Sequence, residues 1–185
     1  LNNNTYIFLA IAEEVFNPNG VTRNATNPFG DGSENALYKF EDNATDAEGN
    51  FSSTTLPNVT FATGYIDKAA VFNGSNAYIT LPNSSSIAQQ NNFTISFWVK
   101  PNGFVAFGTI ATFYSDYRNY VDIRTGGVLG FKTTTTQLNT PSGSITNNVW
   151  QHIVLTKSSI AGTVIYVDTV SVATDSSDTG NASDF

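Results

Sequence analysis

The sequence contains no cysteine, no methionine and a single histidine, His152. Without cysteine there can be no disulfide framework, thiolate zinc site, iron–sulfur cluster or cysteine nucleophile. With one histidine, a histidine-based metal or acid–base cluster has no second member. Charge is also scarce: 12% of the residues carry one, about half the share in an average soluble domain. The net charge of −7 over 185 residues argues against a nucleic-acid partner, because such binding rests on Lys and Arg neutralising phosphates. No apolar run approaches the roughly 18 residues that suggest a membrane-crossing helix. The longest, Tyr6–Ala12, is strand-sized and lacks the basic flank of a signal peptide.

What is present is uncharged polarity. Asn, Thr, Ser and Gly dominate, alongside 14 Phe and 8 Tyr. Helices favour Ala, Leu, Glu and Lys, whereas strands and turns favour Thr, Val, Tyr, Phe, Asn and Gly. The composition therefore points to an all-β fold, and the aromatic content argues against disorder. Acidic residues concentrate at the ends. The first fifty residues hold Glu13, Glu14, Asp31, Glu34, Glu41, Asp42, Asp46 and Glu48 against Arg23 and Lys39, whereas residues 51–167 are slightly basic.

Short strands separated by turn residues recur along the chain. Tyr6–Ile11 reads as a strand closing a preceding β-domain (residues 1–16), and the Asn/Pro/Gly-rich stretch 17–35 reads as a linker. From Ala36 onward a second domain, 36–185, shows strands at Ala36–Phe40, Val59–Thr63, Ala69–Phe72, Ala77–Leu81, Phe93–Lys100, Thr109–Tyr114, Tyr120–Arg124, Val128–Thr133, Thr135–Leu138, Trp150–Lys157, Thr163–Asp168 and Val170–Thr174. Asn73-Gly74-Ser75-Asn76 reads as a hairpin turn between two of them. Ser84–Gln90 is the one helical candidate. In Phe93–Lys100 the residues Phe93, Ile95, Phe97 and Val99 share one face, with Thr94, Ser96 and Trp98 on the other. This pattern specifies a two-sheet antiparallel sandwich or jelly roll.

Five blocks then carry a resemblance: ALYKFEDNATDAEGN (36–50), GYIDKAAVFNGSNAYITLP (64–82), NFTISFWVKP (92–101), NNVWQHIVLTK (147–157) and TVIYVDTVSVAT (163–174). In this order they resemble a laminin-G-like, concanavalin A-like jelly-roll domain. Members of that family usually add one or two closing strands after the last hairpin, so the resemblance implies strands beyond Phe185. The leading strand and NPFGDGSENALYKF (27–40) resemble large tail or fibre proteins of tailed bacteriophages. That implies a virion-surface location, other subunits of a large assembly as partners, a homotrimer among the arrangements, and host-surface glycan as ligand. The expected function is thus a non-catalytic structural or attachment module of a virion surface protein. The alternative is a carbohydrate-binding module of a secreted bacterial adhesin or carbohydrate-active enzyme.

Glycoside hydrolases on this scaffold carry Glu-x-Asp-x-Glu or a close variant on one strand, which sets two carboxylates on one face. The sequence has no such motif, and Asp122 is the one carboxylate in the interior of an expected strand of the sandwich, so no catalytic residue is expected. A Ser/His/Asp centre would have to use His152, which reads instead as a structural, partly buried histidine. Ligand binding is expected in the loop that gathers Tyr114, Asp116, Tyr117, Arg118 and Tyr120, because aromatic faces stack on sugar C–H groups while Asp and Arg bind hydroxyls. Calcium is the one cofactor suggested, with Asp42, Asn43, Asp46, Asn73 and Asn76 as oxygen ligands. Trp98 and Trp150 read as core residues.

Overall fold

The computed structural model describes residues 5–8 (backbone only), 36–81, 92–112, 120–133 and 136–179. Among them no helix forms, and eleven strands build two antiparallel sheets. The strands divide between two compact units, Leu1–Ser84 and Ser85–Phe185. The helical candidate at 84–90 lies outside the described residues.

The first unit holds β1 (Thr5–Phe8), β2 (Thr60–Thr63) and β3 (Lys68–Phe72) in the order β1-β3-β2. Tyr6 pairs with Val71, and Phe61 with Ala70. The leading strand therefore ladders with β3. This pairing also explains why Asn73–Asn76 does not turn a hairpin. Both edges of β3 are occupied, so the residues after the turn have no ladder to join, and Thr80 makes only an isolated bridge to Thr55. The expected strand at 36–40 is likewise reduced to one bridge, Tyr38 to Asp46, and Phe40 takes a positive φ of 58°. A small core forms from Tyr38, Phe40, Ala44 and Ala70, with Phe51, Leu56, Phe61 and Ile79 packed against it.

The second unit is a sandwich. Its first sheet runs β11-β10-β9-β4, from β4 (Phe93–Lys100), β9 (Gln151–Ser158), β10 (Gly162–Val167) and β11 (Val170–Asp175). Its second runs β5-β6-β7-β8, from β5 (Gly108–Thr112), β6 (Tyr120–Arg124), β7 (Val128–Lys132) and β8 (Gln137–Asn139). Alternation decides what faces inward. Phe97, Val99, Ile153, Leu155, Ile165 and Val167 from the first sheet, with Val121, Ile123, Leu129 and Phe131 from the second, form the buried core. Phe93 meets Phe131 edge-on across it, 6.2 Å between ring centres. The β10–β11 turn is Asp168-Thr169, both at positive φ, as a two-residue hairpin loop requires. Lys157 continues the inward face of β9, where its ammonium is buried 2.7 Å from Asp178 Oδ1, and Thr163 Oγ1 donates to Asp178 Oδ2 at 2.6 Å. The residues after β11 thus reach back and neutralise the Lys157 cation buried at the end of the core.

Trp98 departs from expectation. It lies on the face opposite the core, paired across the ladder with His152 and stacked on its ring at 5.1 Å. The alternation of FTISFWVK is as the sequence implies, but an indole on the polar side of that pattern is covered by its cross-strand neighbour rather than by the core.

Candidate functional site

The second face of the β5–β8 sheet is polar. In β6, Val121 and Ile123 point to the core, which turns Tyr120, Asp122 and Arg124 outward. In β7, Leu129 and Phe131 are inward, leaving Val128, Gly130 and Lys132 outward. The antiparallel register then lines these residues up in rows. Thr109, Asp122, Gly130 and Asn139 form one row across all four strands, and Thr112, Tyr120, Lys132 and Gln137 form the next.

Gly130 sits at the centre and is buried. A Cβ built there would lie 2.3 Å from Asp122 Oδ1, 2.6 Å from an Arg124 guanidinium nitrogen and 3.1 Å from Asn139 Oδ1. Three polar groups from two strands, β6 and β8, therefore fill the space over a β7 position with no side chain. Arg124 Nε donates to Asp122 Oδ2 at 2.7 Å, and this hydrogen bond to Asp122 raises the guanidinium pKa further above its ordinary value. Asn139 Oδ1 accepts from Gln137 Nε2 at 3.2 Å. Asp122 is 1% exposed, yet its Oδ1 has no hydrogen-bond donor. A buried acceptor left in this state costs on the order of 1–3 kcal/mol, more when it is charged. Aromatic rings flank this cluster. Phe107, 71% exposed, lies under the Arg124 guanidinium at 5.6 Å, and the Tyr120 ring lies under Lys132 Nζ at 5.7 Å.

Of the expected ligand-binding residues, Tyr120 belongs to this face, whereas Tyr114, Asp116, Tyr117 and Arg118 lie outside the described residues. The cluster of Asp122, Arg124 and Asn139 over Gly130 is not anticipated by the sequence. Its signal is the alternation in Tyr120–Arg124 and Val128–Lys132 around the Gly126-Gly127 turn, which sets Asp122 opposite Gly130.

The five residues proposed for calcium are all described, and each has a side-chain oxygen facing a donor. Asp46 Oδ1 accepts the backbone N–H groups of Leu37 and Glu48, and its Oδ2 accepts those of Asn50 and Phe51. Asp42 pairs with the Lys68 ammonium. Asn43 Oδ1 accepts from the Thr45 N–H. Asn73 Oδ1 caps the N–H groups of Ser75, Asn76 and Ala77, and Asn76 Oδ1 accepts from Asn73 Nδ2. Donor hydrogens aimed at these oxygens are the opposite of what a cation needs, so this set does not fit calcium. Among the described residues no group of three or more His, Asp or Glu could hold a metal ion.

His152 Nε2 lies 2.8 Å from Ser96 Oγ. Asp168, however, accepts the backbone N–H of His152 at its Oδ1 and the Gln151 amide at its Oδ2. The expected structural role for His152 is consistent with this geometry. Burial lowers its pKa, with Asp168 pulling weakly the other way.

A family model described as the concanavalin A-like lectin/glucanases superfamily matches residues 73–184. Among solved structures, the chain is similar to domain 4 of an extracellular GH43 arabinanase from Geobacillus stearothermophilus, determined in complex with arabinotriose. The identity is 22% and the TM-score 0.59, over 77% of this chain and 74% of that one. No curated protein matches.

Proposed function

From the premise that the chain belongs to the concanavalin A-like lectin/glucanases superfamily, we propose that it is a carbohydrate-binding module and that the outer face of the β5–β8 sheet is its binding surface. Membership of the fold family does not by itself license a function. The observation that supports this reading is Phe107, 71% exposed, with the Arg124 guanidinium over its ring. Buried Asp122 holds the Arg124 guanidinium on this face through the 2.7 Å hydrogen bond, where it can donate to sugar hydroxyls. Phe107 and Tyr120 offer apolar faces on either side for sugar C–H groups. The face holds one carboxylate and no second one at nucleophile or acid spacing among the described residues, which suits binding rather than glycosidic cleavage.

Calorimetric titration with arabinotriose and a panel of neutral and acidic oligosaccharides tests this. Binding by the native protein that Gly130→Ala abolishes, with the far-UV circular dichroism unchanged, is the expected result. Binding that Gly130→Ala and Asn139→Ala leave intact would move the site elsewhere.

As a setting for this module we infer a virion surface, on the resemblance of the leading strand and of residues 27–40, with host glycan and neighbouring subunits as partners. The full reading frame decides it: particle-binding domains on either side support the setting, and an adjoining catalytic domain replaces it with a module of a carbohydrate-active enzyme.

A further inference from the structure

The buried end of the second unit's core holds a cation whose ion-pair partner lies outside both sheets. Lys157 is 4% exposed and sits on β9 between Phe93 of β4 and Thr163 of β10. Two ladders fix its backbone, so its side chain cannot turn outward without breaking both. Residues 176–179 follow β11 and pair with no strand. They pass over Gly162, where a Cβ would lie 2.7 Å from Ser176 Cα, and Asp178 then enters the core end at 4% exposure. The Lys157 ammonium donates to the Asp178 carbonyl and lies 2.7 Å from its Oδ1, while Thr163 Oγ1 donates to its Oδ2 at 2.6 Å. Among the described residues, every hydrogen bond from 176–179 to β9 or β10 is made by Asp178. The turn that presents it is built locally: Asp175 Oδ1 accepts the Ser177 N–H and hydroxyl, and the Thr179 N–H donates to the Ser177 carbonyl.

We propose that Lys157 and Thr163 form a carboxylate-binding site and that the strap 176–179 is its detachable self-ligand, so the end of the core opens and recloses without unfolding the sheets. The asymmetry of the pair carries the argument. Removing one partner of a buried ion pair leaves the other charge uncompensated, which is strongly destabilising. That penalty applies only to a partner that must stay buried. Lys157 must, because β9 lies between β4 and β10. Asp178 need not, because a strap held through one residue can swing into water and hydrate its carboxylate. The donors also define the ligand class. An ammonium beside one oxygen and a hydroxyl on the other suit the two acceptor oxygens of a carboxylate. Once the strap is out, a small free carboxylate meets the same two donors.

Hydrogen exchange on the full native chain should show the amides of Ser177, Asp178 and Thr179 opening roughly tenfold or more faster than those of β10. Protection equal to that of β10 overturns the detachable strap. Lys157→Met puts an apolar side chain in the core end and should keep the melting temperature within a few degrees of native, while 176–179 lose protection. Asp178→Ala strands the ammonium and should lower the melting temperature by about 10 °C or more. Sodium formate should then return several degrees beyond sodium chloride at the same ionic strength, and none in the double variant Lys157→Met/Asp178→Ala. Should Asp178→Ala fail to fold, Asp178→Asn, which keeps an acceptor for Thr163, carries the same comparison. Equal losses from the lysine and aspartate variants overturn the asymmetry. A folded Asp178 variant that formate stabilises no more than chloride overturns the carboxylate site.

Discussion

Asp46 and Asp122 are both buried aspartates, 2% and 1% exposed, and they have opposite surroundings. Asp46, in the loop after Phe40, accepts four backbone N–H groups and organises residues 37–51 around its carboxylate. Asp122, on β6, has one oxygen on Arg124 and the other without a donor. A carboxylate saturated by backbone amides has nothing left to offer a ligand. One that takes a single arginine, with its other oxygen enclosed above a glycine, fixes that arginine on the sheet face. Burial alone therefore does not define a carboxylate's role in the fold; the donors around it do.

The largest effect that would test this contrast is on Asp46. Asp46→Ala leaves four backbone donors without their acceptor and should destabilise the protein by about 3 kcal/mol or more, read as a lower urea midpoint, with sugar binding by the remaining folded fraction unaffected. Gly130→Ala should do the reverse. Its Cβ displaces the Asp122 and Arg124 side chains, so it abolishes binding while costing about 1–3 kcal/mol of stability, the usual range for overpacking. A smaller effect comes from His152, which belongs to neither site. Burial lowers its folded pKa below 6.5, so the unfolded chain holds the proton more tightly. Its contribution is complete above about pH 6.5 and is lost as the pH falls through that value toward the folded pKa. The melting temperature should decline over that window, and His152→Gln should flatten the decline. The smallest effect is the removal of calcium. With its oxygens already satisfied, the Asp46 loop needs no ion, so chelation by EDTA should leave the melting temperature unchanged. A drop of several degrees would show that the Asp46 set is a cation site after all.

The sandwich was legible in the sequence wherever strands alternate strongly. Phe93–Lys100, Tyr120–Arg124 and Thr163–Asp168 are found within a residue or so of where the pattern puts them. Local signals failed where pairing partners decided the outcome. Asn73-Gly74 has hairpin chemistry, but β3 is already flanked by β1 and β2, and Asn73 spends its side chain capping its own turn. Trp98 looked like a core residue on composition alone, although its place in the alternation already put it on the other face.

The sequence by itself determined the all-β class, the absence of thiol and multi-histidine chemistry, and which residues of each strand face the core, because those follow from residue type and a period of two. Only the tertiary structure decided that Asp46 is saturated and Asp122 is not. Hydrogen-bond saturation depends on backbone amides and side chains brought together by loops and by register between strands. The register that sets Asp122 opposite Gly130 is a property of two paired strands, and neither strand encodes it alone.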